Sequence, residues 1–225
     1  MVRLALVYMV LPLLLLSAVS PLEEAERLLM DNRPSDALPL LEEALSSDPE
    51  NERIFLYLGI VYEQLGRREE AIRILKRGLD VAGAYRHLLY YNLGNNHYAG
   101  GENIVAEEMY TRAIDEDREF AAPYLNRANA RLRLEDYRGA LSDYTLYLRL
   151  SPRSPKRPEV EAMIRKLRAF LDERERKESE RLEKERALMD EVLNALENAS
   201  EDSQNLSTES DEVLSEDEEE IDIEE

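Results

Sequence analysis

The sequence of 225 residues predicts an all-α fold, a superhelical solenoid of helical hairpins followed by a capping and extended charged helix and a disordered acidic tail. The first observation is a repeat, since four alanines recur at intervals of 34, 35 and 34 residues, each with a small residue 12 positions before it. The second is that apolar residues around them follow helical spacing and nowhere alternate with a period of two. The residues predicted to pack the repeats together in this register are Ala37, Gly59, Ala71, Gly94, Ala106, Ala128 and Ala140.

Residues 1–20 have the pattern of an export segment. The single base Arg3 precedes an apolar run at 4–19, and small residues lie at its end, which is typical of a secretory signal peptide. Pro21 hinders cleavage after Ser20, so an uncleaved N-terminal membrane anchor is an alternative, and a first core helix is another. Sixteen residues span about 24 Å of a hydrocarbon core about 30 Å thick. We expect an exported protein, periplasmic or anchored in the inner membrane and facing the periplasm.

Four repeat units follow, at about 21–51, 52–86, 87–120 and 121–154. Each unit is predicted to contain two amphipathic helices, with the small residues where neighbouring helix backbones cross closely. The fourth unit departs from the second, because Arg127 and Arg131 stand where the second unit has Leu58 and Tyr62. We expect these two arginines to extend their charged ends to solvent or to face the next helix.

The repeats resemble the tetratricopeptide-repeat family. The resemblance covers residues 21–154, about three-fifths of the chain, and it is carried by segments such as LYLGIVYEQLGRREEAIRILKRGLD and YLNRANARLRLEDYRGALSDYTLYLRLSP. It implies stacked hairpins whose leading helices line a concave surface that binds a protein or peptide partner. The export segment and the style of the repeats resemble bacterial members of the family. The resemblance itself implies no particular chemistry.

The register of the leading helices predicts which side chains point into the groove. Carboxamides recur among them, and an Asn side chain offers donors and an acceptor that can bond the backbone of an extended peptide. The alternative is that these asparagines are ordinary helix-surface or interhelix residues of this repeat subtype. The predicted peptide-binding residues are Arg53, Leu56, Tyr57, Ile60, Tyr91, Asn92, Asn95, Tyr98, Asn126, Asn129 and Arg133.

Some members of the family bind a C-terminal carboxylate through a clamp of lysines, an arginine and asparagines. Asn95 and Asn126 match the asparagine positions of that clamp, whereas Leu88, Tyr91 and Ala122 stand near the places of its cations. We therefore expect no carboxylate clamp in this chain.

Composition argues against several classes of function. The formal net charge of −20 disfavours nucleic-acid binding, and a chain without Cys and with two His offers no structural zinc site. No nucleophile elbow, phosphate-binding glycine loop or metal-ligand motif is present. His97 occupies the repeat position of Tyr62, so it is predicted to be a packed core residue, and His87 is predicted to be partly exposed. We expect no enzyme, no catalytic residue, no metal and no cofactor.

Residues 156–199 predict a capping and long charged helix. Six apolar residues with helical spacing are predicted to cover the end of the last repeat, namely Val160, Met163, Ile164, Leu167, Phe170 and Leu171. A charged stretch at 172–186 follows, and then an apolar stripe between Leu188 and Ala199. That stripe is either a weak helix end or a patch for a partner or for self-association, and its seven-residue series is short for a coiled coil.

Residues 200–225 predict a disordered tail, because they hold 13 acids and no base and few apolar residues. Taken together, the sequence predicts a scaffold that binds a polypeptide in its repeat groove. The alternative is a structural subunit of a membrane-associated assembly, in which the repeats and the distal helix mediate self-association as a homo-oligomer.

Overall fold

The computed structural model describes the backbone of residues 19–218 and the side chains of residues 19–200. Within that range the chain forms nine helices and no strand. They are α1 Pro21–Met30, α2 Pro34–Ser47, α3 Glu52–Gln64, α4 Arg68–Val81, α5 Arg86–Ala99, α6 Asn103–Glu116, α7 Ala121–Arg133, α8 Tyr137–Leu150 and α9 Arg157–Glu218. The chain divides after Ile164 into two compact units, the first with the repeats and the second with most of α9.

The first unit confirms the predicted all-α solenoid of four helical hairpins. Each odd-numbered helix from α1 to α7 packs on the helix that follows it, and successive hairpins pack through α2 with α3, α4 with α5, and α6 with α7. The leading helices also contact one another, α1 with α3, α3 with α5, and α5 with α7. These four leading helices therefore share one side of the solenoid, and we call it the inner face.

The first helix begins at Pro21, where the sequence places the start of the first repeat. Ser20 is its N-cap, because its hydroxyl accepts from the backbone N–H of Glu23 at 3.2 Å while its own N–H donates to the Glu23 carboxylate at 3.0 Å. Such a reciprocal cap satisfies two donors that a helix start leaves without partners. The predicted export segment lies outside the described residues except for its last two.

Close helix crossings explain the small residues of the repeat. All seven residues predicted for repeat packing are buried. At Gly94 an added Cβ would lie 2.5 Å from the ring of Tyr110, nearer than side-chain carbons approach one another. Glycine here leaves the space that the tyrosine ring occupies beside α5.

The hairpin turns are equivalent in all four repeats. The residue seven positions after each leading small residue has a positive φ, and these residues are Asn32, Gly66, Gly101 and Glu135. Glycine adopts this left-handed backbone without steric cost and Asn tolerates it well. Glu135 is therefore the turn residue whose side chain fits its backbone least.

One connection between repeats is held by a single carboxylate. Between Ala71 and Gly94 the chain has one residue more than the corresponding segments of the other repeats. Glu52 at the start of α3 accepts hydrogen bonds from the backbone N–H groups of Gly83 at 2.5 Å, Ala84 at 3.2 Å and Tyr85 at 3.1 Å. These three donors would otherwise have no helix partner, so Glu52 joins the loop after α4 to the preceding hairpin.

The last helix is longer than predicted. Disorder is predicted from residue 200, but α9 continues to Glu218, and residues 219–225 lie outside the described part of the chain. Residues 159–218 contain neither Gly nor Pro, so each added residue extends the helix with one further hydrogen bond once the helix has formed. The predicted capping residues Val160 and Ile164 are buried at its start. No helix within residues 19–218 has the length and hydropathy of a membrane span.

Candidate functional site

Three residues predicted for the groove form one hydrogen-bonded cluster on the inner face. The side-chain amide of Asn126 on α7 donates from Nδ2 to Asn95 Oδ1 on α5 at 2.8 Å and to the hydroxyl of Tyr91 at 3.2 Å. From behind, Tyr110 on α6 donates its hydroxyl to the same Asn95 oxygen at 3.0 Å. The carboxamides of two neighbouring leading helices are thus fixed in orientation by one another and by two tyrosines.

The pairing of Tyr110 with Asn95 recurs one repeat later. Tyr144 on α8 donates to Asn129 Oδ1 on α7 at 2.6 Å, with the same separation of 15 residues in the sequence. Both tyrosines are buried, and burial raises the pKa of Tyr144 to about 12 and that of Tyr110 well above its usual range. A buried phenol that stays protonated remains a donor, so the third and fourth repeats each hold their asparagine by its oxygen.

The remaining polar atoms of these asparagines have no partner among the described residues. Asn95 Nδ2, Asn126 Oδ1 and Asn129 Nδ2 take part in none of the hydrogen bonds of this face, and all three side chains are partly exposed. The inner face therefore presents two donor groups and one acceptor whose directions are already set. Such groups can bond the alternating C=O and N–H of a peptide backbone.

Two arginines predicted for the groove lie on different leading helices of this face. Arg53 on α3 forms an ion pair with Glu26 of α1, and its guanidinium lies 6.0 Å from the centre of the Tyr57 ring. Arg133 at the end of α7 stacks on Tyr98 of α5 with 3.9 Å between the guanidinium carbon and the ring centre. The charge of Arg53 is therefore compensated, while Arg133 stays exposed over an aromatic ring.

Two residues predicted for the groove do not line it. Leu56 is buried in the apolar core, and Asn92 is also buried, with its Nδ2 donating to the backbone oxygen of Leu88 at 2.8 Å. The helical period predicted a common face for them, but Leu56 packs in the core and Asn92 bonds to the backbone of its own helix. Tyr57 and Ile60 are partly exposed on α3.

An ionic cluster missed by the sequence analysis lies between α6, α7 and α8. Asp143 is 1 % exposed. Its carboxylate accepts two hydrogen bonds from the guanidinium of Arg127, at 2.7 and 2.9 Å, and one from Arg131 at 2.9 Å. Arg127 also donates to Thr111 at 3.0 Å, and Arg131 to Glu107 at 2.8 Å. The two arginines therefore face a neighbouring helix, which is one of the two expectations for them.

Comparison of equivalent positions in the repeats indicates this cluster in the sequence. Asp143 occupies the position of Ile74 in the second repeat and of Met109 in the third. An acid at an apolar position, in the one repeat that also has two arginines at apolar positions, indicates a buried ion pair.

His97 is buried, as expected for its repeat position. Its Nδ1 lies 2.6 Å from a carboxylate oxygen of Glu102 in the following turn. The described residues contain no group of three acids or histidines placed to hold a metal ion.

Comparison of the sequence with known protein families agrees with the fold of stacked helical hairpins. Family models described as tetratricopeptide repeat match residues 28–89 and 91–155. The chain is 33 % identical over 109 residues to RNA polymerase II-associated protein 3 of Xenopus laevis, and 32 % identical to that of Xenopus tropicalis. The alignments cover 48 % of this chain and 16 % of those proteins, so the chain spans about a sixth of the length of these curated relatives.

Solved structures show the same fold. The crystal structure of MamA matches 68 % of this chain and 96 % of that chain, with 19 % identity and a TM-score of 0.54. The first TPR of Spaghetti (RPAP3) bound to the HSP90 peptide SRMEEVD matches 56 % of this chain and 96 % of that chain, with 26 % identity and a TM-score of 0.50.

Proposed function

This chain belongs to the tetratricopeptide-repeat family, and on that basis we propose that it is a non-enzymatic scaffold whose inner face binds an extended segment of a partner polypeptide. The binding surface extends over the leading helices α3, α5 and α7. Its centre is the cluster of Tyr91, Asn95 and Asn126, and the asparagine pattern continues to Asn129.

The observation that carries this proposal is the hydrogen bonding of the asparagine side chains, which leaves one polar atom of each without a partner among the described residues. Asn95 and Asn126 are each held through one polar atom, by Tyr110 and by each other, and the other polar atom is left to bond a ligand. Preset donors and acceptors lose little side-chain entropy when a ligand binds. Bonds to a peptide backbone are independent of the ligand's side chains, so the cluster supplies affinity while the aromatic and arginine side chains around it supply preference.

A similar domain supports the choice of ligand. The RPAP3 domain that resembles this chain was solved with a bound peptide. For the present chain we propose a peptide ligand without a carboxylate clamp, since the clamp cations are missing from the sequence. A ligand whose affinity falls when its C-terminus is amidated would contradict that part of the proposal.

We propose that binding takes place outside the cytoplasm, at the periplasmic face of a membrane. The support for this is the apolar segment at 4–19, with a base before it and small residues after it. N-terminal sequencing of the mature protein tests it, because a chain that starts at Met1 in the cytoplasmic fraction contradicts export.

Substitution of Asn95 by Asp gives the sharpest test of the inner face. The carboxylate still accepts from Tyr110 and from Asn126, but the outward donor Nδ2 is replaced by a negative oxygen. On an array of 15-residue peptides the native chain is expected to bind a subset, and Asn95→Asp is expected to bind those peptides at least about tenfold more weakly, which is the effect of one lost hydrogen bond.

Asn198→Asp is the matched control, because it adds the same charge on α9, in the other unit. It is expected to bind like the native chain, and both variants are expected to keep the native thermal unfolding temperature. Equal peptide binding by Asn95→Asp and the native chain would overturn the role of the inner face.

A further inference from the structure

The distal part of α9 exposes a continuous apolar stripe. Six large apolar side chains between residues 182 and 196 each expose 47 to 63 % of their surface, although the helical period places them on one side of the helix. They are Leu182, Leu188, Met189, Val192, Leu193 and Leu196. A helix that is amphipathic and uncovered is suited to packing against another helix.

The charged residues beside the stripe differ from those before it. Arg176 pairs with Glu173 and Glu180 within the helix, and Arg181 pairs with Glu178. Arg186 and Glu197, in contrast, form no ion pair with any described residue. They lie on the same flank of the apolar stripe, 11 residues apart, which is about 16 Å along a helix and too far for a bond within one chain.

We propose that α9 pairs with α9 of a second copy of this chain in antiparallel orientation. The proposed register places Met189 of one copy against Val192 of the other, and Leu182 against Ala199. Antiparallel helices bring equal flanks together, and this register sets Arg186 of each copy about 3 Å along the helix axis from Glu197 of the other, within reach of the arginine side chain. The helix pair thus buries the apolar stripe. It also forms two equivalent ion pairs between Arg186 and Glu197.

Charge selects the antiparallel orientation over the parallel one. Residues 201–216 carry six acids and no base, and in the proposed register they lie along residues 165–180 of the other copy, which carry six bases and five acids. A parallel pair would place the two acidic segments side by side, and like charges at this distance repel. The same comparison favours a second copy as the occupant, because residues 165–180 have the required length and a net charge of +1, whereas residues 201–216 have a net charge of −6.

The solution mass of the full-length chain tests whether the stripe associates. Sedimentation velocity is expected to give twice the single-chain mass for the native protein at micromolar concentration. Val192→Glu places a charge in the centre of the stripe and is expected to give the single-chain mass. Asn194→Glu adds the same charge on the opposite side of the helix and is expected to stay dimeric. A native chain that is monomeric up to 100 µM (roughly the weak limit of specific pairing) overturns the proposal, and so does equal loss in both variants.

Charge reversal tests the contact between Arg186 and Glu197. Each of Arg186→Glu and Glu197→Arg alone is expected to raise the dimer dissociation constant at least about tenfold, since each places like charges opposite one another twice. The double variant restores opposite charges and is expected to recover most of the native affinity. Because the two residues cannot meet within one chain, failure of this rescue overturns the proposed register.

The absence of cysteine from the sequence allows a direct test of orientation. Leu182→Cys and Ala199→Cys chains are mixed and treated with a short thiol cross-linker. The antiparallel pair is expected to give mainly mixed 182–199 products. Products that join only 182 to 182 and 199 to 199 indicate a parallel pair and overturn the proposal.

Discussion

At the scale of single residues, Asp143 has the least ordinary environment among the described side chains. It lies at a repeat position that is otherwise apolar, and its negative charge is balanced by the guanidinium groups of Arg127 and Arg131. The two arginines and Asp143 are stable together because each of these charged groups has hydrogen-bonding partners. Removal of Asp143 leaves the nearly buried guanidinium of Arg127 without a carboxylate.

Replacement of Asp143 by Ala is expected to lower the free energy of unfolding by about 3–5 kcal/mol, the usual effect of breaking a buried ion pair. Urea denaturation followed by circular dichroism measures this change. The control is the triple variant Arg127→Leu, Arg131→Tyr, Asp143→Ile, which introduces the side chains of the second repeat at all three positions. It is expected to be more stable than Asp143→Ala, since it leaves no nearly buried guanidinium without a carboxylate. A triple variant less stable than the single one contradicts this account.

The buried tyrosines predict a loss of stability in alkali. Burial raises the pKa of Tyr144 from about 10 to about 12, so the folded state binds this proton more tightly than the unfolded state. The contribution of this group to the free energy of unfolding is therefore constant below pH 10 and falls as the pH rises from 10 to 12. Denaturation at several pH values measures the slope, and the pair Tyr110→Phe, Tyr144→Phe is expected to reduce it. An unchanged slope in that variant would assign the effect to other groups.

At the scale of helices and turns, much of the first unit could be predicted from the sequence. The small residues mark the helix crossings because their spacing repeats, and α1 begins at Pro21 because a proline and a capping serine stand together. The hydrophobic period of a single helix does not show which neighbouring helix packs on each of its faces. The groove prediction therefore includes Asn92, although this side chain is buried and bonds to the backbone of Leu88.

The contacts of the candidate site were less predictable than its residues. Most of the predicted groove residues are partly exposed, but their bonds depend on residues of α6 and α8 that the groove prediction did not include. Tyr110 and Tyr144 could be read as core residues from their period, whereas their hydroxyl bonds to Asn95 and Asn129 require the distance between two helices. The end of α9 was missed for another reason, because acidic composition indicates weak packing and does not itself exclude a helix.

Glu52 offers a test of how one loop is held. Glu52→Gln keeps the shape but replaces one acceptor oxygen with a donor facing backbone N–H groups, so it is expected to lower the free energy of unfolding by about 1–3 kcal/mol. Thermal and urea denaturation measure the loss. Glu50→Gln, an exposed neighbour in the preceding turn, is expected to change stability by less than about 0.5 kcal/mol. Equal effects of the two substitutions would show that the loop does not depend on the carboxylate.

At the scale of the whole molecule, the two units differ in how their helices are stabilised. The repeats bury apolar side chains from every hairpin, whereas side chains from Arg174 to Ser200 are exposed. A helix without packing is held only by its own hydrogen bonds and short-range ion pairs, each worth about 0.2–0.5 kcal/mol.

Hydrogen exchange is expected to report this difference. In the Val192→Glu chain, which removes the proposed pairing, backbone amides of residues 174–200 are expected to exchange at least about a hundredfold faster than those of α3, α5 and α7, because helix opening there breaks no tertiary contact. In the native chain, protection of the same segment is expected to rise with protein concentration. Protection equal to that of the repeats in the variant contradicts the expectation.

The charged triad of the fourth hairpin also bears on how similar repeats find their proper neighbours during folding. Modules of almost equal length and pattern can stack one period out of step, since each offers nearly the same apolar surface. A shift that set α7 against α4 or α6 in place of α8 would bring Arg127 and Arg131 to Ile74 or Met109, without a carboxylate. The triad thus makes the shifted arrangement less stable than the native one, and it favours the pairing of α7 with α8.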